Sequence, residues 1–187
     1  REKIAEGTAI TITATPATGW KFAGWTGKNA SDAGSESTWK TTMTKDIELG
    51  AIFEAKGTTT FQAEDGIIDN AIKENTNAGF AGSGYINFGT GKSTVQVPVY
   101  AEYPGEYTME MTYANGSGKA RSLAIVAPGL CTAGIDGCKS ANIISFDATE
   151  KWTTYTTIET TITLPKGASY ITFSIVDGND GPNLDQI

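Results

Sequence analysis

The sequence predicts an all-β protein, organised as a sandwich or barrel of many short strands. Apolar residues recur at spacing two along most of the chain, which is the period of a strand with one buried face. Turn-forming pairs such as Asn115-Gly116 and Lys166-Gly167 separate these runs. Short strands with frequent turn signals are typical of sandwiches and barrels.

Four segments carry the alternation most clearly. They lie at Ile10 to Ile12, Val95 to Val99, Tyr107 to Tyr113 and Ile171 to Ile175. In each of them apolar and polar side chains point to opposite faces, so we expect half-buried strands. The only stretch with a helical possibility is short, from Asp69 to Asn75.

The chain divides into two regions of different character. We predict a small β-rich domain over residues 1–55, a linker over 56–60 without apolar periodicity, and a larger β-sandwich over 61–187. In the first region Trp20, Phe22 and Trp25 form a compact aromatic cluster. The tryptophans could stack against sugars, but a domain of this size needs bulky aromatic residues for its core, and we favour that interpretation.

Charge and composition exclude several classes of function. The 187 residues include 14 Lys and Arg against 21 Asp and Glu, a formal charge of −7, which argues against nucleic acid and anionic membranes as partners. No apolar stretch is long enough to span a bilayer, so membrane insertion is not expected. The absence of histidine excludes Ser-His-Asp and Cys-His nucleophiles and His-ligated zinc. Catalysis would have to use carboxylates.

The two cysteines, Cys131 and Cys138, lie in a turn-rich run. In a secreted protein such a pair usually closes a short loop as a disulfide, and we expect this rather than a redox or metal site. The N-terminus has no signal-peptide core, so we expect the chain to be a fragment of a longer precursor.

The N-terminal region resembles a small repeat of internalin-type bacterial surface proteins. The resemblance rests on the run from Glu6 to Gly27, with its turn residues and both tryptophans, and on the closing segment from Met43 to Phe53. It implies a spacer or interaction module. One strand of the repeat is missing or reduced ahead of this point, so we expect the repeat to be truncated.

The second region, from Phe61 onward, resembles the family 35 and family 6 carbohydrate-binding modules. The region begins with Phe61-Gln-Ala-Glu-Asp-Gly66. Seven further motifs follow in the order of the family: Gly79–Gly89, Pro104–Tyr107, Tyr113–Gly116, Arg121–Leu123, Trp152–Tyr155, Leu164–Gly167 and Gly181–Asp185. The resemblance implies a jelly-roll β-sandwich with a structural calcium ion. It assigns Gln62, Glu64 and Asp185 as calcium ligands, because carboxylate and amide oxygens from the first and last strands would meet. Without it, Glu64 and Asp185 could equally be solvated strand ends.

The same resemblance suggests a set of sugar contacts. Sugar binding needs an aromatic face and planar polar groups for paired hydroxyls. The candidates are Trp152, Asn183, Phe80, Tyr85, Arg121 and Asn115. Three have plain alternatives, since Tyr85 could belong to the core, Asn115 could only set a turn, and Arg121 could be a surface charge.

The predicted function is that of a non-catalytic, monomeric carbohydrate-binding module. It would target an attached secreted glycoside hydrolase or polysaccharide lyase to plant or algal polysaccharide. An adhesin or cell-surface interaction segment is the alternative, because of the N-terminal repeat. A glycosidase is disfavoured, since no pair among the acidic residues has a distinctive sequence context.

Overall fold

The protein consists of two compact units, Arg1–Thr58 and Thr59–Ile187. The computed structural model describes residues 4–17, 19–89, 91–128, 142–176 and 180–187, so Cys131 and Cys138 lie outside the described residues. Nearly all regular structure is β-strand, which confirms the predicted all-β class. Within the described ranges, no helix is long and apolar enough to cross a bilayer.

The first unit contains two small antiparallel sheets and one short helix. Strand β1 (Ala9–Thr13) pairs with β3 (Thr38–Thr42), and β2 (Trp20–Thr26) pairs with β4 (Gly50–Ala55). Helix α1 (Ala30–Ala33) follows β2. The alternation predicted around Ile10 and Ile12 corresponds to β1, in which the isoleucines are half-buried and the threonines exposed.

The aromatic cluster of this unit is mainly internal. The ring of Phe22 lies 5.0 Å from Trp25 and 6.2 Å from Phe53, centroid to centroid. The indole Nε1 of Trp25 donates a hydrogen bond of 2.8 Å to the carbonyl of Glu36. Trp20, at the start of β2, keeps 47% of its surface exposed. Packing therefore accounts for Trp25, whereas Trp20 lies at the surface.

The second unit contains two five-stranded antiparallel sheets. Sheet I has the order β11 (Asn142–Phe146), β10 (Arg121–Val126), β13 (Gly167–Ile175), β8 (Thr94–Ala101) and β5 (Ile67–Asp69). Sheet II has the order β12 (Tyr155–Leu164), β9 (Gly105–Ala114), β14 (Asn183–Gln186), β7 (Tyr85–Asn87) and β6 (Ile72–Glu74). A 3-10 turn over Ala63–Asp65 precedes β5.

The core of this unit lies between the inner faces of the two sheets. In β8 the side chains of Val95, Val97 and Val99 are buried, while the polar and aromatic residues between them point outward. Met109 and Met111 of β9 enter the same cluster from sheet II. Burial of apolar side chains from both sheets makes the unit a β-sandwich, as the alternation predicts.

Two local predictions were wrong. The stretch from Asp69 to Asn75 is not helical, because Ile72–Glu74 forms strand β6 along the edge of sheet II. Nor do Gln62 and Glu64 lie on a first strand, as the predicted calcium site assumes. Gln62 makes only an isolated bridge to Gln186, and Glu64 lies in the 3-10 turn.

Candidate functional site

The strands of sheet II reach a common end, and loops gather beyond it. Four residues stand opposite one another in one row across this end: Asn87, Asn183, Ala114 and Tyr155. Because strands begin or end at this row, segments 115–120 and 147–154 emerge on the same side. We call this region the loop end.

Arg121 and Trp152 form the central contact of the loop end. The guanidinium carbon of Arg121 lies 4.9 Å from the centroid of the Trp152 ring. Its Nη1 donates a 2.7 Å hydrogen bond to the carbonyl of Gly181, and its Nη2 lies 3.4 Å from a carboxylate oxygen of Asp180. A cation over an indole contributes about 0.5–2 kcal/mol, and more as it is desolvated. With only 16% of its side chain exposed, Arg121 is held in place.

Gly116 provides the room for Trp152. A Cβ atom at Gly116 would lie 2.4 Å from the backbone nitrogen of Trp152 and 2.7 Å from its Cδ1. Any side chain there would force the tryptophan away. Trp152 is itself only partly buried, so part of its ring surface stays accessible to solvent.

Asn115 is fully buried beneath this loop, and its amide is occupied by the protein. The Nδ2 group donates to the carbonyls of Lys119 and Phe146, both at 2.9 Å. The Oδ1 atom accepts a 2.7 Å hydrogen bond from the hydroxyl of Ser117. Asn115 thus joins the β9–β10 turn to the end of β11. In this conformation it supports the loop that carries Trp152.

Tyr85 and Phe80 lie in a neighbouring aromatic cluster. Tyr85 is fully buried, and its hydroxyl accepts a 2.8 Å hydrogen bond from Asn77 and donates a 3.1 Å hydrogen bond to Glu74. Its ring lies 5.8 Å from that of Phe80 and 6.4 Å from that of Tyr155. Phe80 is only partly buried. Phe80 is therefore the member of the predicted pair that can reach a ligand from the surface.

Asn183 begins strand β14 and is almost wholly buried. It lies two residues after Gly181, the residue that holds Arg121. The structure therefore brings Arg121 and Trp152 into contact and places Asn115 and Asn183 at the same end of the sandwich. The aromatic cluster lies alongside, because Tyr155 stands in the row that contains Asn183.

The three predicted calcium ligands meet at another place in the second unit. The carboxylate of Asp185 accepts hydrogen bonds from the backbone N–H of Ala81 at 3.0 and 3.1 Å. One oxygen of Glu64 accepts from the backbone N–H and the hydroxyl of Ser83, at 2.9 and 3.2 Å. The segment at residues 81–83 thus lies against both carboxylates. It links the 3-10 turn to the last strand.

Two oxygens in this group lack any partner. Gln62 Oε1 and Glu64 Oε2 are buried and accept no hydrogen bond. A Cβ atom at Gly82 would lie 2.5 Å from Gln62 Oε1 and 2.8 Å from Glu64 Oε1, and Gly82 has a φ of +64°. Unpartnered buried oxygens are costly, and calcium takes oxygen ligands of these types. These residues therefore fit a calcium ion.

The electrostatics of the group agree with a cation. Burial raises the pKa of the Asp185 carboxyl to about 6, against the lowering effect of the hydrogen bond from Ala81, and the nearby charge of Glu64 raises it further. Two carboxylates that share a buried space repel each other unless a cation or a proton intervenes. Among the residues described, no three His, Cys, Asp or Glu residues group as metal ligands. Calcium would therefore need amide and carbonyl oxygens besides the two carboxylates.

Sequence reasoning missed several contributors to both places. At the loop end these are Gly116, Asp180 and Gly181, and near the two carboxylates they are Ala81, Gly82 and Ser83. Most act through the backbone or through the absence of a side chain. The motifs that contain Gly82 and Gly181 were visible in the sequence. The contacts were not, because Ser83 lies 19 residues from Glu64, Arg121 lies 60 from Gly181, and Ala81 lies 104 from Asp185.

These features give the class of protein: an antiparallel β-sandwich that presents a partly exposed tryptophan among its end loops. Comparison with solved structures gives the family. A family 35 carbohydrate-binding module from Clostridium thermocellum is 31% identical, with a TM-score of 0.60, over 68% of this chain and 93% of that one. A second family 35 module, from Paenibacillus barcinonensis, is 26% identical with a TM-score of 0.60, over 69% and 95% of the two chains. The chain belongs to the family 35 carbohydrate-binding modules.

Two further comparisons extend this result. Residues 1–57 match the family described as a divergent InlB B-repeat domain, as the N-terminal motifs indicate. An exo-β-D-glucosaminidase of Amycolatopsis orientalis is 31% identical over 128 residues. That match covers 68% of this chain and only 12% of the enzyme, so the chain spans about an eighth of that relative's length.

Proposed function

We propose that the loop end binds a polysaccharide, with Trp152 stacking against the apolar face of a sugar ring. The observation that carries this proposal is the partly exposed indole held between Arg121 and Gly116. A ring fixed in this way loses little conformational freedom on binding, which favours affinity. Asn183 and Arg121 would supply hydrogen bonds to hydroxyl groups, and Phe80 a second apolar wall.

The module itself would not be catalytic. It would keep a glycoside hydrolase or polysaccharide lyase of the same polypeptide on plant or algal polysaccharide, outside the cell. The match to a small part of an exo-β-D-glucosaminidase supports this role, since that relative is a sugar-cleaving enzyme much longer than the matched segment. No partner subunit is needed for such tethering, so a monomer suffices.

Calcium would stabilise the module from a separate place. Gln62, Glu64 and Asp185 would hold the ion, which would neutralise the two carboxylates and occupy the unpartnered oxygens. The ion would supply a structural cross-link between the 3-10 turn and strand β14. The ion would lie outside the Arg121–Trp152 contact, but close to Phe80, the residue before Ala81, whose N–H binds Asp185.

Replacement of Trp152 tests the binding proposal. The Trp152→Ala variant should lose at least tenfold in affinity, because the stacking surface is removed, and it should keep its melting temperature within a few degrees. Affinity electrophoresis in xylan, galactomannan, dextran and pectin, followed by calorimetry on the polymer that binds best, would measure this. Trp20→Ala is the matched control, since that indole is 47% exposed but lies in the first unit. Equal affinity of Trp152→Ala and the parent chain would refute the site.

A cell-surface interaction role is the second candidate, and the N-terminal repeat match favours it. The two roles predict different behaviour. A polysaccharide-targeting module should be retarded by at least one polymer in the electrophoresis panel. A chain that no polymer retards, but that binds intact bacterial or host cells through residues 1–58, would favour the adhesin.

A further inference from the structure

Strand β12 is the long edge strand of the second unit. It has ten residues and pairs on one side only, with β9, whereas the other edge strands β11, β5 and β6 have five, three and three residues. It contains no proline, lysine or bulge, the devices by which proteins usually keep an edge from pairing further. Its five threonines and two isoleucines favour extended structure. Strand β12 is therefore the edge best suited to accept another strand.

Half of the backbone groups of β12 point away from β9. In an antiparallel pair, alternate residues direct their N–H and C=O groups to the partner strand, and the residues between them direct theirs outward. Across the described part of the chain, no further backbone hydrogen bond joins residues 155–164 to another segment. The outward groups thus form a row of donors and acceptors with which an extended chain can pair.

A pair of glutamates stands on the outward face of this ladder. Glu159 of β12 is directly opposite Glu110 of β9, and both are exposed. The flanking rows on that face contain only threonines. Like charges directly opposite each other destabilise a sheet. No described lysine or arginine forms an ion pair with either glutamate to offset this repulsion.

The charges around this pair favour a basic partner. Lys151 and Lys166, which flank β12 in the sequence, are eight and seven residues from Glu159, and Glu106, opposite Thr163, adds a third carboxylate to the same face. The second unit as a whole has fourteen acidic and seven basic residues. A basic partner is therefore attracted both by the unit and by the edge. A second copy of the chain is repelled, since its own Glu159 would approach the same place.

The inward side of the same edge is apolar. Strands β5 and β6 are joined by only residues 70 and 71, so they lie on one side of the sandwich, and β11 and β12 lie on the other. Ile144 of β11 and Ile158 of β12 are partly buried and pack against the core. A strand added to β12 would direct every second side chain towards these isoleucines and the others towards the glutamates. The occupant should therefore alternate apolar and basic residues.

We propose that the edge of β12 binds an extended segment of a partner protein in which Lys or Arg alternates with apolar residues. The segment adds a strand to sheet II, with main-chain hydrogen bonds for affinity and a basic residue beside Glu159 and Glu110 for selectivity. The proposal does not depend on sugar binding, because it uses residues 156–164 and none of the loop-end contacts.

The test uses the full chain and a blocked nonapeptide, Thr-Val-Lys-Val-Lys-Val-Lys-Val-Thr, with binding measured by calorimetry at low and at physiological salt. One control peptide has Glu in place of each Lys. Another is N-methylated throughout, so it keeps its charge but cannot pair as a strand. Glu110→Gln/Glu159→Gln removes the charged pair, and Glu102→Gln is the matched control, since Glu102 is an exposed carboxylate just after β8 in the other sheet. Hydrogen exchange identifies the amides that the peptide protects.

The lysine peptide should bind the parent chain, slow the exchange of amides within residues 155–164, and bind more weakly as salt rises. The glutamate peptide and the methylated peptide should each bind about tenfold more weakly or not at all. Glu110→Gln/Glu159→Gln should lose about fivefold in affinity for the lysine peptide, while Glu102→Gln stays within about twofold. The double variant should melt no lower than the parent chain, because a repulsion is removed.

Equal binding of the lysine and methylated peptides, without protection of β12, would reduce the effect to net charge and overturn the proposal. Equal affinity of Glu110→Gln/Glu159→Gln and Glu102→Gln, or no binding of the lysine peptide, would overturn it as well. Sedimentation that shows a dimer of the parent chain dissociated by the lysine peptide would assign the edge to a second copy instead. None of these outcomes bears on the polysaccharide site, which the Trp152→Ala experiment tests separately.

Discussion

Gly116 fixes the position of Trp152 in the proposed binding site, because it lacks a side chain. A methyl group there would meet the backbone nitrogen of Trp152 at 2.4 Å. Backbone atoms cannot yield as a flexible side chain can, so the segment that carries Trp152 must move. The contact between Trp152 and Arg121 would then be lost or altered. The position of one ring thus depends on one glycine.

The Gly116→Ala variant should therefore lose polysaccharide affinity by tenfold or more while the sandwich stays folded. Its tryptophan emission should shift, because the environment of Trp152 changes. Gly118→Ala is the control from the same turn. It has a φ of +75° with open space around its Cβ, so alanine should cost roughly 1–2 kcal/mol of stability without touching the ring. Affinity that falls equally in both variants would point to general distortion of the turn.

Residue roles could be predicted from the sequence only where a residue type carries the chemistry by itself. The family resemblance named Trp152, Gln62, Glu64 and Asp185 as candidates, and their aromatic face and oxygen atoms suit the roles that it implies. The hydrogen-bond partners of Arg121 could not be predicted, because Gly181 contributes a backbone carbonyl from 60 residues away. Tyr85 was ambiguous because alternation alone does not show that its hydroxyl is bonded inside the protein, to Asn77 and Glu74.

At the scale of elements, the segment of the 3-10 turn already meets the end of the chain, because Phe61 and Ile187 exchange two backbone hydrogen bonds of 2.9 Å beside the bridge of Gln62 to Gln186. Gln62 Nε2 donates a 3.2 Å hydrogen bond to Gln186, and the two carboxylates are bridged only through residues 81–83. A calcium ion there would tie the start of the second unit to its end. Such a ligand stabilises the folded state by mass action.

Chelation should therefore lower the melting temperature of the parent chain. At calcium about a hundredfold above its Kd the stabilisation is about 2.7 kcal/mol, or roughly 10 °C for a unit of this size. The Gly82→Ala variant should lose this calcium response, because its Cβ would occupy the space beside Gln62 Oε1. Scanning calorimetry with calcium and with EGTA measures the difference.

Gly89→Ala is the matched control for this experiment. Gly89 has a similar φ of +56° but open space around its Cβ, so it shares the backbone strain without the obstruction. It should melt at a lower temperature than the parent and still respond to calcium. Identical melting of the parent chain with calcium and with EGTA would remove Gln62, Glu64 and Asp185 from the ligand list.

The long strands were predictable and the short ones were not. Strands β8 and β9 have eight and ten residues, enough for their alternation to show in the sequence. Strands β5, β6 and β7 have three each, and such runs carry no usable period. Their place depends on pairing with distant partners, as Ile72 pairs with Asn87. For this reason strand β6 was not predicted, and residues 69–75 were described only as the stretch with a helical possibility.

For the whole molecule, the two units differ in how they obtain their stability. Every residue of the large buried cluster lies between Ala63 and Leu184, within the second unit. The first unit instead packs a few aromatic rings between small sheets, and Ala14 and Ala33 are its buried apolar residues among those described. Apolar burial is the main source of folding free energy. The second unit therefore contains what it needs to fold alone.

Residues 59–187 produced without the first unit should keep the melting temperature of the second unit within a few degrees. Their affinity for the best polymer of the panel should equal that of the full chain within twofold, because Trp152, Arg121 and their supports all lie after residue 59. The full chain should show two calorimetric transitions, and the one absent from the shorter chain belongs to the first unit. A fall of tenfold or more in affinity, with the fold intact, would mean that the InlB-type repeat contributes to glycan binding, and the role of Trp20 would then need to be tested directly.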